Sequence, residues 1–343
     1  MTDDPEDLTL ERIGRLAGVS RSTVSRVLND HRHVRPEVRA RVEAVIDQTG
    51  YLPNQAARAL VSNRTGLIGL VMPTDADELF GDPYYSALVH GIHEGCADSG
   101  SVFAIFPVDA PRDQTVVLPT LVAQGFVDGV IVTAGPRSDR LIGALRDRRK
   151  RMVVVGHPAD DDGLVRVDVE NRAGSAAAVE HLVGLGRRRI GFIGPPTDFV
   201  FGAERLAGYR DGLASGGRRV DDRLVRLDEP TAEGGFRAAE ALLAWHPDGV
   251  HVATDTMAEG ALRAFAHHDV RVPEEVAVVG FDGLPGGSLS QQLLTTVVQP
   301  VAEVGRTAVR LLGDDHVDAR VVALPTTLRI GATCGSGLAG RST

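Results

Sequence analysis

The sequence predicts an α/β chain in two unequal parts: a small all-α headpiece at the N-terminus, then a two-lobed domain built on parallel sheets. Three observations predict it. The chain has 343 residues, more than one ordinary domain needs. The net charge is −9, yet residues 8–64 hold ten arginines against five acids. A basic head on an acidic body suggests that one segment meets a polyanion and the other does not. Beyond residue 65, short apolar runs alternate with helical stretches, the pattern of parallel sheets covered by helices on both faces.

Thr9 can cap a helix whose apolar positions are Leu10, Ile13, Leu16 and Ala17. Gly18 breaks it, because glycine accepts the positive φ of a tight turn. Ser20 then caps a second helix with Val24, Val27 and Leu28 inward and Arg21, Ser22, Ser25 and Arg26 outward. Two short helices joined by Ala-Gly-Val-Ser, the second polar and basic on its free face, describe a helix-turn-helix. A plain three-helix bundle with solvated arginines is the bland alternative. A third helix is expected from Pro36 to about Thr49, with Val38, Val42, Val45 and Ile46 as its stripe and Gly50 as its stop. Asn54 can cap a seven-residue segment, 55–61, which is too short to be a stable helix without a partner.

In the body, apolar runs at 67–72, 102–106, 129–132, 152–155, 190–193, 249–253 and 276–281 are expected strands. Helical stretches lie between them, for example at 84–98, 172–184, 203–213, 232–245 and 257–267. These are too many strands for one open half, so two similar lobes with a cleft between them are expected. Ligands of such sheets bind beyond the carboxyl ends of the strands. Asp255 and Asp282 directly follow two of the runs, and Arg205 lies on a facing helix. Carboxylates accept hydrogen bonds from hydroxyls or amines, and a guanidinium donates them. The structural alternatives are helix caps for the aspartates and a surface ion pair for Arg205.

Several function classes are excluded. No run approaches the roughly 18 apolar residues of a membrane-spanning helix. The acidic start has no basic-then-apolar leader. Cys96 and Cys334, far apart, are read as free thiols in a reducing, cytoplasmic compartment. There is no dinucleotide fingerprint, phosphate loop, nucleophile elbow or zinc-protease motif, and the histidines are scattered. No catalytic residue, metal or cofactor is therefore expected, and the chain is not expected to be an enzyme. A periplasmic solute-binding protein would explain the two lobes, but neither the basic head nor the missing leader.

Fixed strings then narrow the reading. Thr9-Leu10, the run from Ala17 to Asn29, Gly50-Tyr51-Leu52-Pro53-Asn54 and Ala57-Arg58-Ala59-Leu60 together resemble the headpiece and hinge of the lactose-repressor/galactose-repressor (LacI/GalR) family. Two positions depart from it. Arg12 stands where the family usually has Asp, which removes a capping-box partner for Thr9. Gly14 stands where Ala is usual, at about 1 kcal/mol of helix propensity, so a weaker first helix is expected. The likeness continues through Asp82-Pro83-Tyr84-Tyr85, Glu170-Asn171-Arg172-Ala173-Gly174, Glu204-Arg205-Leu206-Ala207-Gly208-Tyr209, Thr254-Asp255-Thr256-Met257 and Val278-Val279-Gly280-Phe281-Asp282.

The resemblance implies a periplasmic-binding-protein-like pair of lobes crossed three times by the chain. It implies a homodimeric, sequence-specific transcriptional regulator, a repressor controlled by a small-molecule effector, most often a sugar or sugar derivative. The partner is double-stranded, palindromic operator DNA. Arg21 and Ser22 are expected at base edges in the major groove, and Arg26 at a base or a phosphate. Ser20, Thr23, Ser25, Asn29 and Tyr51 are expected at phosphates, and Thr9 is expected among the DNA-binding residues. Hinge residues Asn54, Ala57 and Arg58 are expected in the minor groove, with Leu60 as a wedge. For the effector the resemblance points to Tyr84, Tyr85, Asn171, Arg205, Asp255 and Asp282. Core packing is the alternative for the two tyrosines. Pro230 stands where members often carry a stacking aromatic, and Phe199 and Phe201 are candidates to replace it. The expected divisions are a helix-turn-helix domain at 8–53, a hinge at 54–64, an effector-binding and dimerisation domain at 65–331 and a flexible tail at 332–343. The tail carries no leucine heptads, so a coiled-coil tetramer is not expected.

Overall fold

The computed structural model describes residues 8–28, 33–51, 65–73, 81–108, 111–123, 126–136, 138–158, 163–284, 293–314 and 321–336. The chain divides into two compact units, 1–65 and 66–343.

In the first unit, helices α1 (Leu10–Ala17), α2 (Arg21–Leu28) and α3 (Pro36–Thr49) enclose Ile13, Ala17, Val24, Val27, Val42 and Tyr51. The local chemistry matches the sequence. Thr9 Oγ1 accepts the Arg12 backbone N–H, and Gly18 ends α1 at φ 64°. Ser20 Oγ accepts the Thr23 N–H at 3.2 Å, and Gly50 ends α3 at φ 64°. Gly14 has a use that its helix propensity hides. A Cβ there would lie 2.8 Å from the Val19 carbonyl oxygen, and the Val19 N–H donates to the Gly14 carbonyl at 2.8 Å. The turn closes directly onto α1 at this residue, which offsets the propensity cost.

The second unit holds two six-stranded sheets. The first contains β1 (Leu67–Met72), β2 (Val102–Pro107), β3 (Gly129–Thr133), β4 (Met152–Val155), β5 (Arg166–Val169) and β11 (Val321–Leu324), in the order β11-β5-β4-β3-β1-β2. The second contains β6 (Ile190–Gly194), β7 (Val225–Leu227), β8 (Gly249–Val252), β9 (Ala277–Asp282), β10 (Thr295–Val298) and β12 (Thr327–Arg329), in the order β12-β10-β9-β8-β6-β7. Only β12 runs antiparallel to its neighbour among the described strands.

Both sheets are buried on both faces, which is why their central strands read as unbroken apolar runs. In the first lobe, Leu70, Ile131 and Val153 pack with α4 (Pro83–Ser99) and α11 (Val301–Gly313), through Leu88, Ile92, Val304 and Ala308. On the opposite face Val71, Val130 and Val132 pack with Leu121 of α5 (Pro111–Val122) and Leu145 of α6 (Asp139–Asp147). In the second lobe, α9 (Ala232–Leu243) and α10 (Asp255–His267) cover one face through Leu242, Met257 and Phe265. The other face is covered by α7 (Asn171–Gly184) and α8 (Val200–Ser215), through Val179, Leu182, Leu206 and Tyr209.

The chain passes between the lobes three times: from β5 to α7, from β10 to α11 and from β11 to β12. The expected tail needs one correction. Residues 332–336 are held against the second lobe. The Thr333 hydroxyl accepts the Thr295 N–H at 2.9 Å and donates to the Val278 carbonyl at 2.8 Å, and Cys334 is buried in the core.

Candidate functional site

On the headpiece, Arg21, Ser22 and Arg26 are exposed along α2, with Ser25 and Thr23 half-buried beside them. Ser20 is exposed at the cap, and its Oγ lies 2.9 Å from the hydroxyls of both Ser22 and Thr23. Thr9 is exposed at the start of α1. Arg21 pairs with Glu11 at 3.1 Å, an exposed pair of little energy that leaves the arginine free to be recruited elsewhere. Tyr51 departs from expectation. It is 6% exposed and packs into the headpiece core, because the chain turns inward after Gly50. Asn29, Asn54, Ala57, Arg58 and Leu60 lie outside the described residues.

In the second unit, a cavity of about 390 Å³ opens between the lobes at the carboxyl ends of both sheets. The first lobe supplies Tyr84 and Tyr85 from the start of α4, Thr133 from the end of β3, His157 from the loop after β4, and Asp168 from β5. The second lobe supplies Asn171, Phe199, Phe201, Arg205, Thr254 and Asp282. Pro230 and Gln299 also line the cavity.

Arg205 is the hub. Its side chain is 4% exposed and lies over the ring of Phe281 at 3.6 Å, with Phe201 at 4.9 Å. Nε donates to Asn171 Oδ1 at 2.9 Å. One terminal nitrogen donates to the Ala253 carbonyl and to Asp282 Oδ1, the latter at 3.0 Å. The other terminal nitrogen makes no hydrogen bond among the described residues, so two N–H donors remain for a ligand. Asp282 Oδ1 also accepts from Gln299 at 2.7 Å. The network therefore joins both strand-to-helix crossings, through Asn171 and Gln299.

Asp282 sits at φ 122°, unusual for a residue with a side chain and worth roughly 1–3 kcal/mol of strain. Such strain persists where surrounding bonds fix the residue. Burial pushes its carboxyl well above the usual carboxylate range; Arg205 opposes this and Asp255 adds to it. Asp255 does not line the cavity. Its Oδ1 accepts from Thr296 at 2.6 Å and its Oδ2 from the Gly283 N–H at 2.8 Å, while its own N–H donates to Asp282 at 3.3 Å. Both oxygens are committed to holding the strained turn, so Asp255 supports the site from behind. Burial, with Thr296 and Gly283 opposing, pushes it up to about 6.

Tyr84 and Tyr85 form an edge-to-face pair, with ring centroids 5.5 Å apart. Burial and then Asp168 push the Tyr84 hydroxyl upward, so it stays a neutral donor. Phe199 and Phe201, 5.7 Å apart, stand beside Pro230 in the lining. Sequence reasoning missed His157, Asp168, Glu204 and Gln299. His157 Nδ1 meets Glu204 Oε1 at 2.8 Å across the lobes, and the Asn171 amide donates to Asp168 and Glu204, both at 3.1 Å. Glu204-Arg205 was visible as a string, but His157 and Asp168 come together only through the lobe crossing.

A cavity lined by aromatic rings and a buried charge network, between two parallel-sheet lobes of a chain with a helix-turn-helix headpiece, defines a ligand-responsive DNA-binding protein. Known proteins agree. Residues 9–54 match the lacI family of bacterial regulatory proteins, and residues 179–334 match the periplasmic binding protein-like domain. The HTH-type transcriptional regulator CelR of Thermobifida fusca is 36% identical over 89% of this chain and 91% of its own length. The ribose operon repressor of Escherichia coli is 30% identical, covering 89% and 92%. The solved structure of a CelR–cellobiose complex superposes with a TM-score of 0.75 at 33% identity, covering 95% of this chain and 99% of that one. The lac repressor dimer bound to operator and an anti-inducer gives 0.79 at 28%, covering 95% and 98%. The chain belongs to the LacI family of bacterial transcriptional regulators.

Proposed function

We propose that this protein is a cytoplasmic, dimeric repressor that binds palindromic operator DNA through its headpiece and responds to a sugar held between its lobes. The observation that carries the sugar reading is Arg205, held in place by Asn171 and Asp282 yet keeping two donors free at a cavity lined by Tyr84, Phe199 and Phe201. Hydroxyls to hydrogen-bond and rings to cover suit a carbohydrate. Relatives named for cellobiose and ribose support the same class. Arg21 and Ser22 read bases, and Arg26 lies one turn further along the exposed face of α2. Thr9, Ser20, Thr23 and Ser25 position the helix on phosphates. Exposed Val102, Ile105, Val116 and Phe126, all on the first lobe, support a dimer face. No described helix is long and apolar enough to cross a membrane.

The test is operator selection from randomised duplexes. Exchanging Arg21 and Ser22 shifts the selected consensus, at roughly 1–3 kcal/mol for a lost bidentate base contact. A uniform loss of affinity on every sequence, with a smaller salt slope, would assign these residues to phosphates instead.

A further inference from the structure

The cavity wall carries more carboxyl groups than guanidinium groups among its described residues. Among the described lining residues are the carboxylates of Asp82, Asp168, Asp198 and Asp282, and Arg205 is the one arginine or lysine. Arg205 is already paired with Asp282 at 3.0 Å. Asp168 differs from the others. It is buried at the end of the first sheet, and its Oδ1 is occupied by the Val169 N–H at 2.7 Å and the Asn171 amide at 3.1 Å. Its Oδ2 accepts no hydrogen bond from a described residue, and the nearest cation, Arg166, stands 3.8 Å away. Asp168 Oδ2, held only by its ion pair with Arg166, and the second terminal nitrogen of Arg205 thus make no hydrogen bond to a described residue in one cavity. A hydroxyl satisfies either, since it both donates and accepts. A phosphate or carboxylate satisfies only the guanidinium and must sit against acidic neighbours, in a buried site where like charges are poorly screened.

We propose that Asp168 sets the charge class of the effector: its Oδ2 accepts from a hydroxyl of an uncharged polyhydroxy ligand, and the carboxylate-lined wall rejects phosphorylated and acidic forms of the same sugar. This rests on the sugar-effector reading. The His157–Glu204 contact at 2.8 Å and the Asn171 amide, which bridges Asp168 to Glu204, tie this corner to both lobes, so a ligand held there is felt by both.

The experiment is calorimetry on the full-length protein with matched probes: ribose and ribose 5-phosphate, glucose and glucose 6-phosphate, cellobiose and cellobionate, with glucosamine and Zn²⁺ as cationic controls. Asp168→Asn is the diagnostic variant. It keeps an acceptor for the Val169 and Asn171 donors and replaces the Oδ2 acceptor with a donor. Operator binding without ligand reports whether the variant is folded, and Asp168→Ala is the second variant should it not be. The expected result is that a neutral sugar binds the wild type at least a hundredfold more tightly than its anionic partner. Asp168→Asn weakens the neutral sugar tenfold or more and narrows that gap. An anionic partner that binds the wild type as tightly as the neutral form overturns the proposal and leaves the sugar reading standing, as does an Asp168→Asn profile identical to wild type. A preference for glucosamine or Zn²⁺ that Asp168→Asn abolishes makes the corner a cation site and overturns the hydroxyl assignment. Absence of binding by every sugar in the set overturns the sugar reading and this proposal with it.

Discussion

Arg205 shows why a buried charge is both useful and hazardous. Its pair with Asp282 is almost wholly removed from water, so truncating it leaves a carboxylate with its burial cost and no cation. Arg205→Ala should lower folding stability by about 3–5 kcal/mol in urea titrations. Adding Asp282→Asn to that variant should recover part of the loss, and a double variant no more stable than Arg205→Ala would deny that the unpaired carboxylate is the cause. His251 gives a second, pH-dependent case. It is fully buried on β8, with Nε2 2.7 Å from the Ser175 hydroxyl and Nδ1 3.1 Å from the Val279 carbonyl. Burial pulls it down to about 4, with the Val279 bond opposing and Arg205 assisting. The unfolded chain therefore binds the extra proton first as pH falls below about 6.5, the folded chain only near 4. The contribution is complete above that upper value and is lost on acidification, up to about 3 kcal/mol. The stability difference between wild type and His251→Gln should narrow from pH 7 towards about 4.5. A difference that does not change with pH would contradict this.

Helix pairs in the body approach closely enough that side chains are excluded at the crossings. A Cβ on Gly260 of α10 would lie 1.7 Å from the Ala232 carbonyl oxygen of α9, and one on Gly208 of α8 would lie 2.2 Å from the Arg172 carbonyl of α7. Glycine inside a helix costs about 1 kcal/mol in propensity, and here it permits backbone contact. Gly260→Ala should therefore destabilise by about 2–3 kcal/mol despite its better propensity, because two helices must separate. A thermal midpoint equal to or above that of wild type would show that the pair shifts apart at no cost.

The sequence was most legible where periodicity and burial agree. The runs at β1 to β4, β6, β8 and β9 were found to within a residue or so, because strands covered on both faces are largely apolar and the exposed edge strand β2 is apolar as well. Strand β5, Arg166–Val169, was hidden by its charged residues Arg166 and Asp168, and β7, β11 and β12 by their three or four residues at or near sheet edges. The site divided in the same way. Arg205, Asp282 and Asn171 were reachable from strand ends and fixed strings. His157 and Asp168 depend on how the lobes meet, and Asp255 was misread because a carboxylate after a strand can face the ligand or brace the turn behind it.

Function requires these parts to act together. The two lobes are joined by three crossings, and at the cleft Asn171 and Gln299 connect two of these to the Arg205–Asp282 pair. A ligand that bridges the lobes and favours one arrangement of them over another would meet the condition for coupling to DNA binding. The most direct measurement is operator affinity by fluorescence anisotropy at fixed salt, with and without the sugar that binds the cleft, for wild type and Asp282→Asn. Adding sugar should change the operator Kd of the wild type at least tenfold and leave near-equal curves for Asp282→Asn, which still binds operator without ligand. An operator affinity that ignores the sugar in the wild type, or responds undiminished in Asp282→Asn, would contradict this coupling.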